Sequence, residues 1–497
     1  MGQQAFAMGA EVPAPWCWKG FRWCRKLKRF EWFKRFKKFN FQFSIFNFMY
    51  SYRTETGHTL KLALPIIFGE LAQMSLHLLD TAMIGYTGYK QLAAASLVLN
   101  VINIPFVFGL GITISVAQMV SLAHGKHDKQ QVSHFFYNGF WLCTLSAILI
   151  TAGLLLGKNV LKHLGQDPDV VQLAMPFMNL MSLSIIPMVL FMTLKQFADG
   201  LQYTKTAMTL SIVALPLNAF LNWLLIYGNW GFPRLELIGA GYATLITRTF
   251  IFLLLGAVIL KHKVFRKYVS VAKNQWHIHW DTIRQLLKIG IPSSLQIGME
   301  AGAFAGSGII IGTIGAAPQA AHQIALSCAS FAFMVSMGLS QAGSIRVSNA
   351  YGGSNWTRIL MIGKSTTMLA IIYGTLSCTL FMLFRNQLPV LFNDEPMIVQ
   401  TAAGLLLLAA IFQIPDAIQA TSAGLLRGIK DVNTPTLYIF VAYWVLGLPL
   451  GYLMAFHFGM NEKGIWIGFI SGLSFSAVML TIRFLRRAKR NRQPKSV

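Results

Sequence analysis

Apolar runs long enough to cross a lipid bilayer recur along this chain, and they restrict its fold more than any other feature. An α-helix needs roughly 20 predominantly apolar residues to cross the hydrocarbon core of a membrane. Helices are favoured over a membrane β-barrel, because the strands of a barrel are only about 10 residues long and alternate apolar with polar residues. The sequence predicts an all-α integral membrane protein with twelve transmembrane helices, at residues 59–83, 92–121, 134–157, 170–199, 205–227, 238–261, 284–312, 319–345, 357–384, 397–425, 434–457 and 463–485.

Composition supports this class and argues against a soluble protein. Of the 497 residues, 55% are hydrophobic and only 12% are charged, whereas soluble domains carry about 25% charged residues. The net charge of +25 comes from 42 Lys and Arg residues against 17 Asp and Glu residues. The basic residues lie between the apolar runs and at the two termini, so they indicate membrane topology and give no support to nucleic-acid binding.

The distribution of basic residues predicts which loops are cytoplasmic, because short loops rich in Lys and Arg stay on that side. With a cytoplasmic N-terminus, the outside connections hold only Lys90, Lys158, Lys162, Arg234, Arg385 and Lys463. The cytoplasmic connections then hold seven basic residues from Lys261 to Lys288, together with Lys126, Lys129, Lys195, Lys205, Arg346, Arg358, Lys364, Arg427 and Lys430. We therefore expect a multi-pass protein of the cell (inner) membrane with both termini in the cytoplasm.

The second half of the chain repeats the first at a shift of 227 residues. Identities concentrate at Gly and Pro, which mark special backbone positions. Pro65, Gly88, Gly111, Ser121 and Gly125 fall on Pro292, Gly315, Gly338, Ser348 and Gly352. Six spans in each repeat make the repeats parallel, related by a pseudo-two-fold axis along the membrane normal. This pattern predicts two six-helix lobes that alternate access, and the alternative is a duplicated scaffold that transports nothing.

We expect the following division of the chain: a basic, aromatic N-terminal extension at 1–57, cytoplasmic and disordered or on the membrane surface; an N-terminal lobe at 58–261; a cytoplasmic loop at 262–283; a C-terminal lobe at 284–485; and a basic cytoplasmic tail at 486–497. The extension mixes Phe, Trp, Lys and Arg, as in segments that lie on anionic membranes. The alternative is dispensable sequence upstream of a start at Met49. The five cysteines show no metal-ligand spacing and are expected to be free thiols.

Carboxylates inside the spans are few, namely Glu70, Asp80, Glu300 and Asp416, with Asp199 at the cytoplasmic end of a span. A carboxylate at membrane depth costs at least about 2.5 kcal/mol, so it usually faces a cavity and has a function. The internal repeat does not conserve these residues, and the fold itself therefore does not need them. Such groups can exchange a proton, or can hold Na⁺ together with other oxygens. The alternative for each is a structural carboxylate that is hydrogen-bonded to a neighbouring helix.

Several long motifs are those of a known family and occur in its order. They are LLDTAMIGYTGYKQLAAAS after the first span, AAHQIALSCASFAFMVSMGLSQAGSIRVSNAYG in the eighth, and SAGLLRGIKD and YWVLGLPLGY in the tenth and eleventh. Over about residues 58–488 the chain resembles the multidrug and toxic compound extrusion (MATE) family, in its NorM-like branch. The resemblance implies two six-helix lobes and export of organic cations and drugs by Na⁺ or H⁺ antiport. It implies a monomer among membrane lipids, with no cofactor and no nucleic-acid partner.

The resemblance also assigns residues to two cation-coupling or substrate sites. In the N-terminal lobe they are Asp80, Asn218, Asn222 and Thr244. Some branches of the family carry an aspartate at the position of Asn222, so this lobe has one carboxylate fewer than the same lobe in those branches. Either set, this one or the pair of the C-terminal lobe, is a candidate Na⁺ site.

In the C-terminal lobe the resemblance assigns Glu300 and Asp416. The residue four before Asp416 is often tyrosine in this branch, and here it is Phe412, so a hydroxyl ligand is missing. Glu70 has no role that the family supplies, and both Glu70 and Phe412 are retained as candidates.

Three other functions fit the sequence less well. A flippase or exporter of lipid-linked saccharides shares this architecture, but it would need several cationic residues in its cavity for phosphate, and only Arg248 lies well inside a span. A membrane receptor or scaffold would not explain the repeat. An enzyme is disfavoured, since no GxxxxGK[ST] phosphate-binding loop occurs in the sequence.

Overall fold

The computed structural model describes residues 25–163, 167–269 and 277–492, and side chains from residue 52 onward. The chain divides into two units, Met1–Thr54 and Glu55–Val497. The first unit is helical from Arg25 onward. The amphipathic character predicted for the N-terminal extension lies outside the described side chains, and the predicted domain boundaries remain predictions.

The described chain consists of helices joined by short turns and contains no strand. The helices are α1 Arg25–Gly85, α2 Tyr89–Gly125, α3 Lys129–Gly157, α4 Pro168–Gly200, α5 Thr204–Leu225, α6 Glu236–Lys261, α7 Lys263–Val269, α8 Trp280–Gly312, α9 Ala316–Gly352, α10 Trp356–Phe384, α11 Pro396–Gly428, α12 Asn433–Phe440, α13 Leu448–Tyr452 and α14 Asn461–Arg492. Short 3₁₀ turns follow α3, α5 and α10.

Twelve helical segments are long and apolar enough to cross a membrane, which confirms the predicted all-α membrane fold. The first of them is Tyr52–Gly85, and the eleventh, Asn433–His457, joins α12 and α13. Two π-helical stretches, Val441–Gly447 and Leu453–His457, follow α12 and α13. Such widened turns are rare in proteins and frequently occur at functional sites.

Two large hydrophobic cores correspond to the two predicted lobes. One is built mainly from α1–α6, with Phe177, Phe191 and Phe197 among its fully buried side chains. The other is built from α8–α14 and is centred on Trp466 and Phe469. The prediction of two six-helix lobes is therefore confirmed.

A third, smaller core joins the lobes. It is formed by Leu62, Ala63, Ile66, Ile67, Ala117, Leu339, Ala342 and Ile345. These residues come from α1 and α2 of the first lobe and α9 of the second. We call the end of the bundle at which α2 and α9 terminate the basic end, since the loops predicted to be cytoplasmic lie there.

Helix ends repeat as the sequence repeats. The α2 and α9 helices are each preceded by a glycine with positive φ, Gly88 at 145° and Gly315 at 159°. The side chains of Asp128 and Asn355, 227 residues apart, each accept a hydrogen bond of 2.9 Å from the third backbone N–H that follows. Both are N-caps, which satisfy donors that a helix leaves unpaired in its first turn. The repeat therefore keeps an N-cap at this position, although the residue is Asp in the first half and Asn in the second.

Candidate cation sites and the contacts between the lobes

The four residues assigned to the N-terminal lobe lie together. The Asn222 Nδ2 atom donates to Asp80 Oδ1 at 2.6 Å and to Asn218 Oδ1 at 3.0 Å. The Thr244 hydroxyl donates to Asp80 Oδ2 at 3.3 Å. The two asparagines share one face of α5 because they are four residues apart. Helices α1, α5 and α6 thus bring one carboxylate, two amides and one hydroxyl into a single cluster.

This cluster has polar atoms that the described protein leaves unpaired. Asn218, Asn222 and Thr244 are buried, whereas Asp80 is partly exposed. Neither Asn222 Oδ1 nor Asn218 Nδ2 has a hydrogen-bond partner among the described residues. A buried polar atom without a partner costs about 1–3 kcal/mol. Carboxylate, amide and hydroxyl oxygens are ligands that hard cations prefer.

A buried cation lies beside this cluster, which sequence reasoning did not assign to the site. Arg248 of α6 is only 8% exposed, and its Nη1 atom donates to Ser184 Oγ at 2.7 Å. The charges of Arg248 and Asp80 are close enough to attract each other. A cation that binds at Asp80 must therefore compete with a fixed positive charge of the protein.

The two carboxylates assigned to the C-terminal lobe also lie near each other, close enough for their charges to interact. The Tyr443 hydroxyl donates to Glu300 Oε1 at 2.7 Å and lies 3.3 Å from Gln419 Oε1. Asp416 is 2% exposed, and its Oδ2 atom has no hydrogen-bond partner within the described ranges. Two close carboxylates cannot both ionise at low cost, so this pair favours a shared proton or a bound cation.

Phe412 does not lie open to a cation. Its ring is 3% exposed and packs edge-on against the rings of Phe304 and Trp466, with centroid distances of 6.1 and 5.7 Å. The hydroxyl at the carboxylate pair comes from Tyr443, which lies in the YWVLGLPLGY motif and was not predicted as a site residue. Tyr443 lies in the first π-helical stretch, a kind of irregularity that frequently occurs at functional sites.

A small cavity of about 50 Å³ adjoins this pair. Glu300, Gln419 and Arg427 line it from the second lobe, and Ile114 lines it from the first. Arg427 interacts electrostatically with Glu300. Both lobes therefore carry the same combination, a carboxylate site with an arginine nearby, Arg248 in the first lobe and Arg427 in the second.

Glu70 is an ion-pair partner. Its Oε1 atom accepts from Lys195 Nζ at 2.5 Å, and the Lys195 side chain is 2% exposed. The next turn of α4 carries Asp199, and Gln341 of α9 donates to Asp199 Oδ2 at 3.2 Å and to Gln196 Oε1 at 2.9 Å. Glu70 thus belongs to a buried charged cluster between the lobes, separate from the Asp80 site.

The basic ends of α2 and α9 form a symmetric contact, which we call the α2–α9 seal. The Ser121 hydroxyl donates to Ile345 O, and the Ser348 hydroxyl donates to Gln118 O, each at 2.7 Å. These two bonds exchange under the repeat, because residues 118 and 121 correspond to 345 and 348. The lobes thus meet through equivalent surfaces.

Repeated glycines make this approach possible. A Cβ atom at Gly125 would lie 2.0 Å from Asn349 O, and one at Gly352 would lie 2.1 Å from Leu122 O. Any side chain larger than hydrogen would therefore push α2 and α9 apart. The repeat preserves these glycines because two backbones touch there.

An arginine cluster reinforces the closure. Arg346 of α9 is 5% exposed and donates to the Glu55 carboxylate, and also to Thr59 on the same face of α1. Arg358 pairs with the other oxygen of Glu55 at 3.3 Å. The α2–α9 seal and this arginine cluster thus join the lobes at the basic end, and this conformation is closed there. Just outside the helices, partial burial and then the nearby Lys126 charge lower the pKa of Lys430.

Comparison with known proteins agrees with this architecture. The MatE family model matches residues 65–224 and again 292–453, two segments whose starts are 227 residues apart. The probable multidrug resistance protein NorM of Mesorhizobium japonicum is 33% identical over 443 residues, covering 88% of this chain and 95% of that protein. The multidrug resistance protein NorM of Photobacterium profundum is 30% identical, covering 88% of this chain and 96% of that protein.

Solved structures show the same fold. The eukaryotic MATE transporter AtDTX14 superposes with a TM-score of 0.81 at 20% identity, over 89% of this chain and 99% of that one. An outward-facing MATE family multidrug resistance transporter gives a TM-score of 0.82 at 18% identity, over 88% of this chain and 97% of that one. The chain is therefore a NorM-like member of the multidrug and toxic compound extrusion family, the MATE transporters, and a multi-pass membrane protein.

Proposed function

We propose that this chain exports organic cations and toxic compounds by antiport with Na⁺ or H⁺, and that its two lobes alternate access. The observation that carries the proposal is the Asp80 cluster. It is a partly exposed carboxylate held by Asn222 and Thr244, with unpaired amide atoms beside it. Such a group can hold a cation and release it, which a fully paired structural carboxylate cannot do.

The exchange follows from competition for negative sites. A proton or Na⁺ at Asp80 or at the Glu300–Asp416 pair neutralises the charge that an organic cation needs. Binding of one cation therefore lowers the affinity for the other. Antiport requires in addition that the two cations favour different conformations, because a ligand shifts a conformational equilibrium only by its differential affinity.

The closed basic end gives this cycle its direction. If that end is cytoplasmic, as the loop charges predict, the present conformation is closed toward the cytoplasm, and we infer that the carboxylates are reached from the outside. Coupling ions then enter from outside and drug leaves to the outside. The return conformation opens the α2–α9 seal toward the cytoplasm. We expect a monomer to carry out this cycle in the cell (inner) membrane, with both termini cytoplasmic.

Ethidium efflux from energised cells of a pump-deficient strain tests the proposal. Asp80→Asn, Glu300→Gln and Asp416→Asn each remove one negative charge, and we expect each to slow efflux at least about tenfold, because charged hydrogen-bond partners contribute about 1.5–3 kcal/mol. Asp394→Asn is the matched control, since Asp394 is exposed in the loop before α11 and belongs to neither carboxylate site.

The coupling ion is assigned by the same assay. Efflux that requires Na⁺ at fixed pH indicates sodium antiport, and efflux that ignores Na⁺ but stops with a protonophore indicates proton antiport. Wild-type efflux in all three variants would refute the assigned sites. No efflux of any cation, with the protein present in the membrane, would refute cation export and favour the lipid-linked saccharide cargo.

A further inference from the structure

The basic end of α14 carries a stripe of residues that changes from apolar to cationic. Met479 and Ile482 are followed on the same helix face by Arg483, Arg486, Arg487 and Arg490. The spacing of three and four residues keeps these side chains on one face. The stripe extends about 16 Å along the helix axis, at 1.5 Å for each residue, which is enough to pass from the hydrocarbon region into the headgroup region.

This stripe faces Tyr438 of α12, and together they enclose an open groove of about 330 Å³. Ile482 is 38% exposed, so the apolar end of the groove is open to the surroundings of the bundle. A groove of this size between two transmembrane helices can hold a phosphate-bearing headgroup. It lies at the outer surface of the second lobe and takes no residue from either carboxylate site.

One carboxylate organises the arginines. Asp431, 6% exposed, accepts from Arg483 Nε at 2.7 Å and also pairs with Arg487. This clamp fixes two guanidinium groups in the wall of the groove. Arg486 and Arg490 are exposed, and no described carboxylate forms an ion pair with either of them. Four positive charges are thus offset by one negative charge.

We propose that this groove binds the phosphate of an anionic glycerophospholipid headgroup. Arginine suits this ligand because its planar guanidinium donates two parallel hydrogen bonds to phosphate oxygens. Basic pockets between transmembrane helices at the cytoplasmic surface recognise acidic headgroups in this way. The apolar side chains at the other end of the groove contact the acyl chains of the same lipid.

The test uses the full-length protein, purified in detergent and stripped of lipid. Native mass spectrometry then measures the binding of added phosphatidylglycerol and of phosphatidylcholine. We expect tighter binding of phosphatidylglycerol to the wild type. In the Arg486→Gln/Arg490→Gln variant the affinity for phosphatidylglycerol falls about tenfold or more, because each basic residue near an anionic lipid contributes about 1 kcal/mol, or roughly fivefold.

Controls separate a built site from a general effect of charge. The Lys129→Gln/Lys263→Gln variant removes two exposed charges at the same end of the bundle and should bind phosphatidylglycerol as the wild type does. The Arg486→Lys/Arg490→Lys variant keeps the charge but loses the bidentate geometry, so it should recover only part of the affinity.

Three results of the lipid-binding measurements would overturn the proposal. They are unchanged phosphatidylglycerol binding in Arg486→Gln/Arg490→Gln, an equal loss in the lysine control, and equal affinity of the wild type for the two lipids. A competition experiment with glycerol 3-phosphate tests whether the groove binds a soluble phosphate instead of a lipid. If it displaces the lipid at comparable concentration, the groove takes a soluble phosphate and the lipid assignment is wrong.

Discussion

Replacing Gly125 or Gly352 with alanine perturbs the α2–α9 seal at a single atom. At each position the added Cβ would lie about 2 Å from a carbonyl oxygen of the opposite lobe, 2.0 Å in one case and 2.1 Å in the other. Neither obstacle is a flexible side-chain tip, because both are backbone oxygens. The helices can accept the methyl group only by moving apart.

The size of the effect follows from this geometry. Non-bonded heavy atoms rest roughly 3.5 Å apart, so α2 and α9 must separate by on the order of 1 Å or more. Overpacking of this kind costs about 1–3 kcal/mol, and the cost falls on the closed conformation alone. We therefore expect its population relative to the open one to drop roughly 5- to 150-fold. The double variant should lose little more than either single variant, since one separation admits both methyl groups.

Spin-label distances measure this shift. Gln130 and Thr357 are exposed, lie in the first turns of α3 and α10, and correspond under the repeat. Labels on cysteines at these two positions, in a background without native cysteines, should report a longer distance in each alanine variant. Ethidium efflux should slow in parallel, because a cycle that cannot close at one end does not complete.

Gly153→Ala is the matched control. A Cβ atom there meets nothing within 4 Å, so the same change of residue type in another transmembrane helix should leave both readouts unchanged. A wild-type distance distribution in both Gly125→Ala and Gly352→Ala would refute the seal. So would a shift of equal size in the control.

Three further substitutions test the polar clusters. Tyr443→Phe removes the hydroxyl that donates to Glu300, and efflux should slow by about tenfold with folding unchanged, measured by size-exclusion chromatography beside the ethidium assay. Phe412→Tyr should not restore a cation ligand, because the new hydroxyl enters an aromatic cluster, and it should lower thermal stability by about 1–3 kcal/mol. Lys195→Met leaves Glu70 buried without its partner and should lower stability by about 3–5 kcal/mol, much of which Glu70→Gln in the same chain should recover.

The features that the sequence predicted well are local or periodic. Hydropathy over roughly 20 residues identified all twelve spans, since each apolar run predicts a membrane helix independently of the rest of the chain. The shift of 227 residues predicted the two lobes. The residues around Asp80 were proposed through family resemblance, and the structure brings Asn218, Asn222 and Thr244 to it.

The features that the sequence could not supply are pairings between distant residues. Arg346 and Lys195 were counted as basic residues of cytoplasmic connections, but both are buried ion-pair partners. Arg346 meets Glu55 across 291 positions of chain, and no local pattern marks such a partner. Tyr443 was missed for the same reason, since its partner Glu300 is 143 positions away.

The repeat and the carboxylates divide the molecule by role. Closure at the basic end is symmetric, because the same serine and the same glycine act from each lobe on the backbone of the other. A symmetric contact opens and closes as one unit, since moving one lobe breaks both halves together. The carboxylate sites are asymmetric, because the repeat places Ser307 at the position equivalent to Asp80, and Gln73 at the position equivalent to Glu300. Two different carboxylate sites, in lobes joined by the symmetric α2–α9 seal, can respond to different cations. Exchange of a drug for a coupling ion requires this difference.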